Sequence, residues 1–401
     1  MNFELKKIKG NSTYKISLLL VVVLILVVSF ISIRSESYIE DINSISHLKG
    51  IQASKKWEKV YKDAPSNELT VDYIQKALRG YASYSDTVKG ELNLREDYPG
   101  VLDILTKVYG NYEDSLNGIN GIEINEVDNF YDRNRQVLKS YMEEKDFSQP
   151  KIDKAESYLK KVKTPYTLSY VKPWINLWKA MTIVDYFLCL VAVVLSSRLF
   201  SLEKEQKMEE LLSTRKSRAG LVIGRNKVKA ICLAVTQLYF ISSLSLFLIK
   251  VFTTGLSGMG SQIQIEYVFS IYPVNFLVAT VGHFLVGWIA IVFVSILAGW
   301  INILTMNTTT SLTISTVTIF FPLLLGKLLG ELQGPVSKFI GILPINNINF
   351  IKNIKSLPAY DLLGIPISSV AMGSLLAILI SIISFIVLPL IFNSKLKKND
   401  F

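Results

Sequence analysis

Two ionisable side chains, Asp185 and His283, stand inside long apolar runs of this chain. A charge at the depth of a hydrocarbon core is costly, so such residues line a transport path or find a partner. Each lies about two turns into its run, and the two either line a path or pair with each other. In the alternative, Lys179, Lys250 and Lys327 snorkel to the nearer surface and Asp185 meets one of them. Other reactive chemistry is sparse. The only histidines are His47 and His283, and no His, Cys or carboxylate cluster has metal-ligand spacing. No Gly-x-Ser-x-Gly elbow occurs. Gly326-Lys327-Leu328 lacks the earlier glycine and the hydroxyl of a phosphate-binding loop. The expectation is a chain without metal, catalytic or nucleotide site. An intramembrane enzyme is disfavoured because no two catalytic groups share a span face.

A second pattern lies between two apolar runs, in residues 198–229. Its charges alternate in sign and its apolar residues recur at helical spacing. An amphipathic helix over 203–218 places Met208, Leu211 and Leu212 against a membrane. It turns Glu203, Glu205, Glu209, Glu210, Arg215 and Arg218 toward a soluble partner. A plainer reading is a solvated juxtamembrane helix that attracts anionic lipid heads.

The elements that position these residues follow from composition. Half the residues are hydrophobic, the mean hydropathy is +0.35 and the formal charge is +10 over 401 residues. That is ordinary for a multi-span membrane protein. Six runs reach the roughly 20 residues needed to cross a bilayer, near 16–33, 180–197, 230–252, 276–303, 311–330 and 368–392. The first has no small-residue cleavage site after it and reads as a retained anchor. Before it, Phe3, Leu5 and Ile8 among lysines suit an interfacial helix over 1–15. With both termini in the cytoplasm, 16 Lys/Arg lie inside, against Lys338, Lys352 and Lys355 in the short outer loops 253–275 and 331–367. Residues 34–178 then form an extracytoplasmic domain, and 393–401 a cytoplasmic tail. Because the basic excess sits in the membrane part and its fringes, it points to lipid topology and not to nucleic acid.

The inserted domain reads as mostly helical. Thr70 caps a helix through Leu78, Pro99 opens one through Val108, and Ser148-Gln149-Pro150 opens one through Val162. Gly118 and Gly121 mark turns. Thirteen of the 19 tyrosines fall here. They suit half-wet helix packing, or a sticky surface for peptide or glycan. The two cysteines, Cys189 and Cys232, lie in or beside spans, so the domain has no disulfide. With Lys-, Ile- and Asn-rich usage, this fits a Gram-positive bacterium. Trp174 and Trp178 are placed to anchor the second span at an interface. Gly326-x-x-x-Gly330 permits a close helix contact, and Pro322 interrupts the fifth span. The fold class is an all-α polytopic membrane protein of six transmembrane helices, with a mostly helical domain inserted after the first.

The order of elements resembles the permease subunit of ABC-2-type exporters, in the subgroup with a large extracytoplasmic domain between the first two spans. The matching residues are Phe200, Glu203, Glu205, Glu209-Glu210, Leu211-Leu212, Ser213-Thr214, Ser217-Arg218 and Lys227 or Lys229. Gln206-Lys207 and Arg215-Lys216 depart from the family's Gly-Thr and Pro-containing pairs. Pro322 and Leu343-Pro344 extend the likeness, since the family places short helices before its last span. The resemblance implies export of a peptide (such as an antimicrobial peptide), drug or lipid across a bacterial cytoplasmic membrane. It implies a separate cytoplasmic ATPase dimer that binds ATP and Mg, and a second copy of this chain or a related permease. Asp185, His283 and Pro322 would border the path. The competing class is a non-pumping envelope sensor or mechanotransmitter.

Overall fold

The structure is a computed structural model that describes residues 2–41, 46–83, 87–109, 122–205, 219–328, 335–358 and 360–398. Helix α1 (Asn2–Gly10) leads through Asn11 into α2 (Ser12–Arg34), where the Asn11 side chain accepts the Thr13 N–H at 3.0 Å and caps the start. An inserted domain follows. It opens with an antiparallel hairpin of β1 (Ser37–Asp41) and β2 (Ser46–Lys49). Helices α3 (Ile51–Asp63), α4 (Val71–Ala82), α5 (Thr87–Asp97), α6 (Val101–Tyr109), α7 (Phe130–Glu144) and α8 (Gln149–Leu159) complete it. The chain re-enters the bundle through α9 (Lys172–Ser196), then makes the one-turn α10 (Leu202–Glu205). Next come α11 (Ala219–Thr254), α12 (Phe276–Thr305) and α13 (Thr308–Leu328). Short helices α14 (Pro335–Ile342) and α15 (Phe350–Ile354) and the hairpin β3 (Tyr360–Leu362)–β4 (Ile365–Ile367) precede α16 (Ser369–Lys398).

Six helices are long and apolar enough to cross a membrane: α2, α9, α11, α12, α13 and α16. The protein is an all-α polytopic membrane protein. Helix α9 is its central staff and packs on α12, α11 and α2. Just over half of its most apolar stretch is buried (56%), against 17% for α13 at the periphery.

Helix lengths depart from the hydropathy reading at two ends, for physical reasons. Helix α9 begins at Lys172 with Pro173 in its first turn, where a missing N–H costs nothing, so its first two turns belong to the bundle and not to the inserted domain. Helix α11 begins at Ala219, about three turns ahead of its apolar run. The polar residues Arg225, Lys227 and Lys229 are thus helical and project from a span.

Trp174 and Trp178 are not interfacial anchors. They are 1% and 0% exposed, inside the junction between the bundle and its covering loops. The Trp174 indole N–H donates to the Ser257 carbonyl at 2.6 Å, and that of Trp178 to Thr280 Oγ1 at 2.9 Å. Trp178 stacks on Phe276 at 5.1 Å and meets Phe350 edge-on at 5.5 Å. Hydropathy placed these rings at a span end; the loops after α11 and α13 fold back over that end and bury them. Ile263, Gln264, Ile265, Pro344, Ile345 and Ile348 are among the buried residues of those loops.

In the inserted domain the Thr70 hydroxyl accepts the Tyr73 N–H, as its capping position requires. Helix α6 starts just after Pro99-Gly100, and α8 starts at Gln149. The hairpin β1–β2 was not anticipated, because strands this short carry too few residues for a period-2 pattern. Gly118 and Gly121 lie outside the described residues. Among the described tyrosines most are packed: Tyr131 donates to the Leu69 carbonyl and meets Tyr166 edge-on at 5.0 Å. Trp178→Ala is expected to cost about 3–5 kcal/mol of stability, read as a lowered unfolding temperature of the purified protein in detergent; a ring that only anchors an interface would leave that temperature nearly unchanged.

Candidate functional site: charges buried along the bundle

Three clusters of buried charge occupy the seam formed by α9, α11 and α12. They lie at the end bearing the inserted domain, in the middle, and at the end bearing α1 and α10.

At the domain end, Glu36 follows α2 directly and is 0% exposed. Its carboxylate accepts from Asn176 Nδ2 of α9 at 2.7 Å and from the Tyr170 hydroxyl. The Lys250 ammonium of α11 lies 3.8 Å away and is itself 3% exposed. Lys250 therefore does not snorkel to a surface. An opposite charge and two donors make burial of the carboxylate tolerable. Lys179, by contrast, is exposed.

In the middle, the structure brings Asp185 of α9 and His283 of α12 together, with Nε2 3.3 Å from Oδ2 and both side chains 0% exposed. Asp185 thus meets a histidine and not a lysine. Neither carboxylate oxygen and neither ring nitrogen makes an aligned hydrogen bond among the described residues. The imidazole stacks on Phe350 at 5.1 Å, which roofs it from the domain side. The Tyr239 hydroxyl of α11 donates to the Phe284 carbonyl at 2.8 Å. Gly287 makes room for the group: a Cβ there would stand 2.7 Å from both Asp185 Oδ2 and the Tyr239 oxygen.

At the other end, Lys227 of α11 reaches across to Glu203 of α10 and donates to the Leu199 carbonyl at 2.6 Å. Lys7 of α1 closes on the same carboxylate at 3.0 Å. The Lys227 ammonium also faces the rings of Phe392 and Phe200, at 5.3 and 5.8 Å. Burial alone would raise the Glu203 pKa, but the lysine charges outweigh it and hold the carboxyl below its ordinary value. Glu203 therefore does not face outward, as the amphipathic reading expected; it is 5% exposed because two lysines converge on it from α1 and α11. Glu205 stays exposed and accepts the Thr308 N–H at 3.1 Å, at the start of α13.

Asn302 of α12, also 0% exposed, ties the turn between α9 and α10 to the bundle. Its oxygen accepts the N–H of Phe200 at 2.6 Å and of Ser201 at 3.2 Å, and its amide donates to the Ser197 carbonyl.

Glu209, Glu210, Leu211, Leu212, Arg215 and Arg218 lie outside the described residues, as does Gly330. Helix α13 runs unbroken through Pro322, which is half-buried and belongs to none of the three clusters. Sequence reasoning missed Glu36, Asn176 and Asn302. Glu36 alone carried a signal, an acid directly after an apolar run, balanced by Lys250 near the matching end of another. Among the described residues no group of three His, Cys, Asp or Glu side chains is arranged to hold a metal ion.

The domain also carries a recess of about 190 Å³, lined by residues that include Tyr38, Trp57, Tyr61, Tyr170, Arg95 and Asp103. Tyr61 and Tyr170 are shared with the packing that leads to Glu36.

No protein-family model, curated protein or solved structure matches this chain. The architecture and its buried charges define a polytopic membrane protein with an inserted domain.

Two outcomes test this geometry. Gly287→Ala forces Asp185 and Tyr239 apart and is expected to cost about 1–3 kcal/mol, visible as a lowered unfolding temperature in detergent. Because the Glu203 pKa is depressed in the folded state, its stabilisation is complete above the ordinary carboxylate pKa of about 4.3 and is lost as pH falls through the lower folded value. Unfolding temperature followed against pH should show that acid loss in the wild type and a smaller one in Glu203→Gln.

Proposed function

We propose that this protein is the membrane permease subunit of a bacterial ATP-driven exporter. A separate ATPase dimer would press on the segment after α9, and the bundle would move a peptide, drug or lipid across the cytoplasmic membrane. The observation that carries this reading is the bracing of that segment. Glu203 is gripped by Lys227 of α11 and Lys7 of α1, and Asn302 of α12 holds the turn ahead of it. Force delivered to Glu203 would therefore reach the spanning helices α11 and α12, and the interfacial α1, through short polar contacts. The resemblance to ABC-2-type permeases, the six apolar helices and the basic bias of one set of ends support the same reading. Two ATPase subunits call for two membrane halves, so a second copy or a related permease completes the assembly.

A sensor or mechanotransmitter is the second reading, and one observation favours it. Glu36, Tyr170, Asn176 and Lys250 weld the inserted domain to α9 and α11, so strain in the domain would also reach the bundle.

The test is charge reversal of Glu209 and Glu210 to Lys in the native host. The export reading expects transport into inverted vesicles to fall to background. It also expects a subunit carrying a phosphate-binding loop to be lost from the purified complex. Wild-type ATP-dependent transport by that variant contradicts the reading.

A further inference from the structure

We propose that Asp185 and His283 together bind one exchangeable proton in the middle of the bundle, making this pair a protonation site in the span region. The inference is independent of the export reading.

The pair is held by three helices and closed by a fourth element, so it is a built feature and not a stray polar contact. Asp185 comes from α9, His283 from α12 and the Tyr239 hydroxyl from α11, while Phe350 of α15 covers the imidazole. Both side chains are fully buried, yet all four of their polar atoms lack an aligned hydrogen bond among the described residues. A pair retained only for packing would be expected to satisfy those atoms or give way to apolar residues, since a buried ion pair gains little over a hydrophobic substitute. The cluster at Glu36 shows the contrast: two donors reach that carboxylate in addition to its lysine. The neighbouring Tyr239 hydroxyl gives its proton to the Phe284 carbonyl and not to Asp185. Oδ2 and Nε2 are left 3.3 Å apart, close enough for a proton to pass between them after a small rotation of either side chain.

The neighbours restrict the charge the site holds. On α9 the ionisable groups close to Asp185 are Tyr186 and Cys189, and on α11 Tyr239. Helix α15 contributes only an aromatic ring to the pair. Helices α2 and α13 bring no interacting charge to Asp185 among the described residues. Among the described residues, His283 is the one basic group that interacts with Asp185. With one proton shared, the pair is neutral overall. Releasing it to water leaves an aspartate anion and a neutral imidazole, a net change of one negative charge, and rebinding reverses that step. The lone charge is poorly tolerated in an apolar bundle, so release is coupled to access by water or by a counter-charge. Gln237 and Ser243 flank Tyr239 on α11, and Gln237 Oε1 and Ser243 Oγ are likewise without a hydrogen-bond partner among the described residues.

The chain has only two histidines, and His47 is exposed in β2, so the measurement can be specific. Full-length His47→Gln protein labelled with 15N-histidine is reconstituted in liposomes, and the remaining imidazole signal is followed by solid-state NMR. The expected result is a pH-dependent change of the imidazole signal that corresponds to one proton. Asp185→Asn should displace its midpoint by about one pH unit or more. An imidazole fixed in one protonation state at every pH at which the protein stays folded overturns the proposal, and so does a titration that Asp185→Asn leaves in place. If Asp185→Asn fails to fold, the titration of the His47→Gln protein decides alone, because a sealed structural pair would not exchange.

Discussion

An ammonium or carboxylate stays inside an apolar helical bundle only where an opposite charge meets it, and this protein is organised around that constraint. Glu36 with Lys250, Asp185 with His283, and Glu203 with Lys227 and Lys7 stand at the two ends and the middle of one seam. Each pairing joins residues far apart in sequence, so each fixes how elements from different parts of the chain sit together. Helix α11 takes part at both ends, through Lys227 and Lys250, which are 23 positions apart on one helix. At 1.5 Å per residue that is about 35 Å, the full depth of a bilayer core. Helix α11 is thus fixed at both ends by buried charge, and along its length it packs against α9.

The consequences differ at the two ends. Near the inserted domain, Glu36 takes hydrogen bonds from Tyr170 and Asn176 and faces Lys250, so the domain, the first turns of α9 and α11 meet at one carboxylate. Near α1, the grip on Glu203 is made by a span and an interfacial helix together, and Glu205 starts α13 by accepting the Thr308 N–H. Polar contacts thus join this segment to α11, α12 and α13. The middle pair is the least satisfied of the three: both carboxylate oxygens and both ring nitrogens lack an aligned hydrogen bond among the described residues.

Much of the architecture was legible because hydropathy and capping are local. The six apolar runs each became a helix, Thr70 capped α4, and the short helices before the last span appeared where Leu343-Pro344 pointed. Asp185 and His283 were identifiable as costly residues, and their pairing stood among the alternatives. What could not be read was direction. Helical spacing placed Glu203 on a polar face, but its inward turn depends on Lys7 and Lys227, residues 196 and 24 positions away. The tryptophans sat at a span end in sequence, and only the fold of the loops above them made that end an interior. Asn302 gave no signal, since an asparagine within an apolar run does not announce which backbone it will serve.

The central claim, that buried opposite charges tie the segment after α9 to the bundle, is tested most directly by a double-mutant cycle on Glu203→Gln and Lys227→Met, with unfolding measured on the full chain in detergent. The account predicts that each single change is strongly destabilising and that the double change recovers much of the loss, with a coupling energy of about 1–3 kcal/mol. Additive losses with coupling near zero would contradict it.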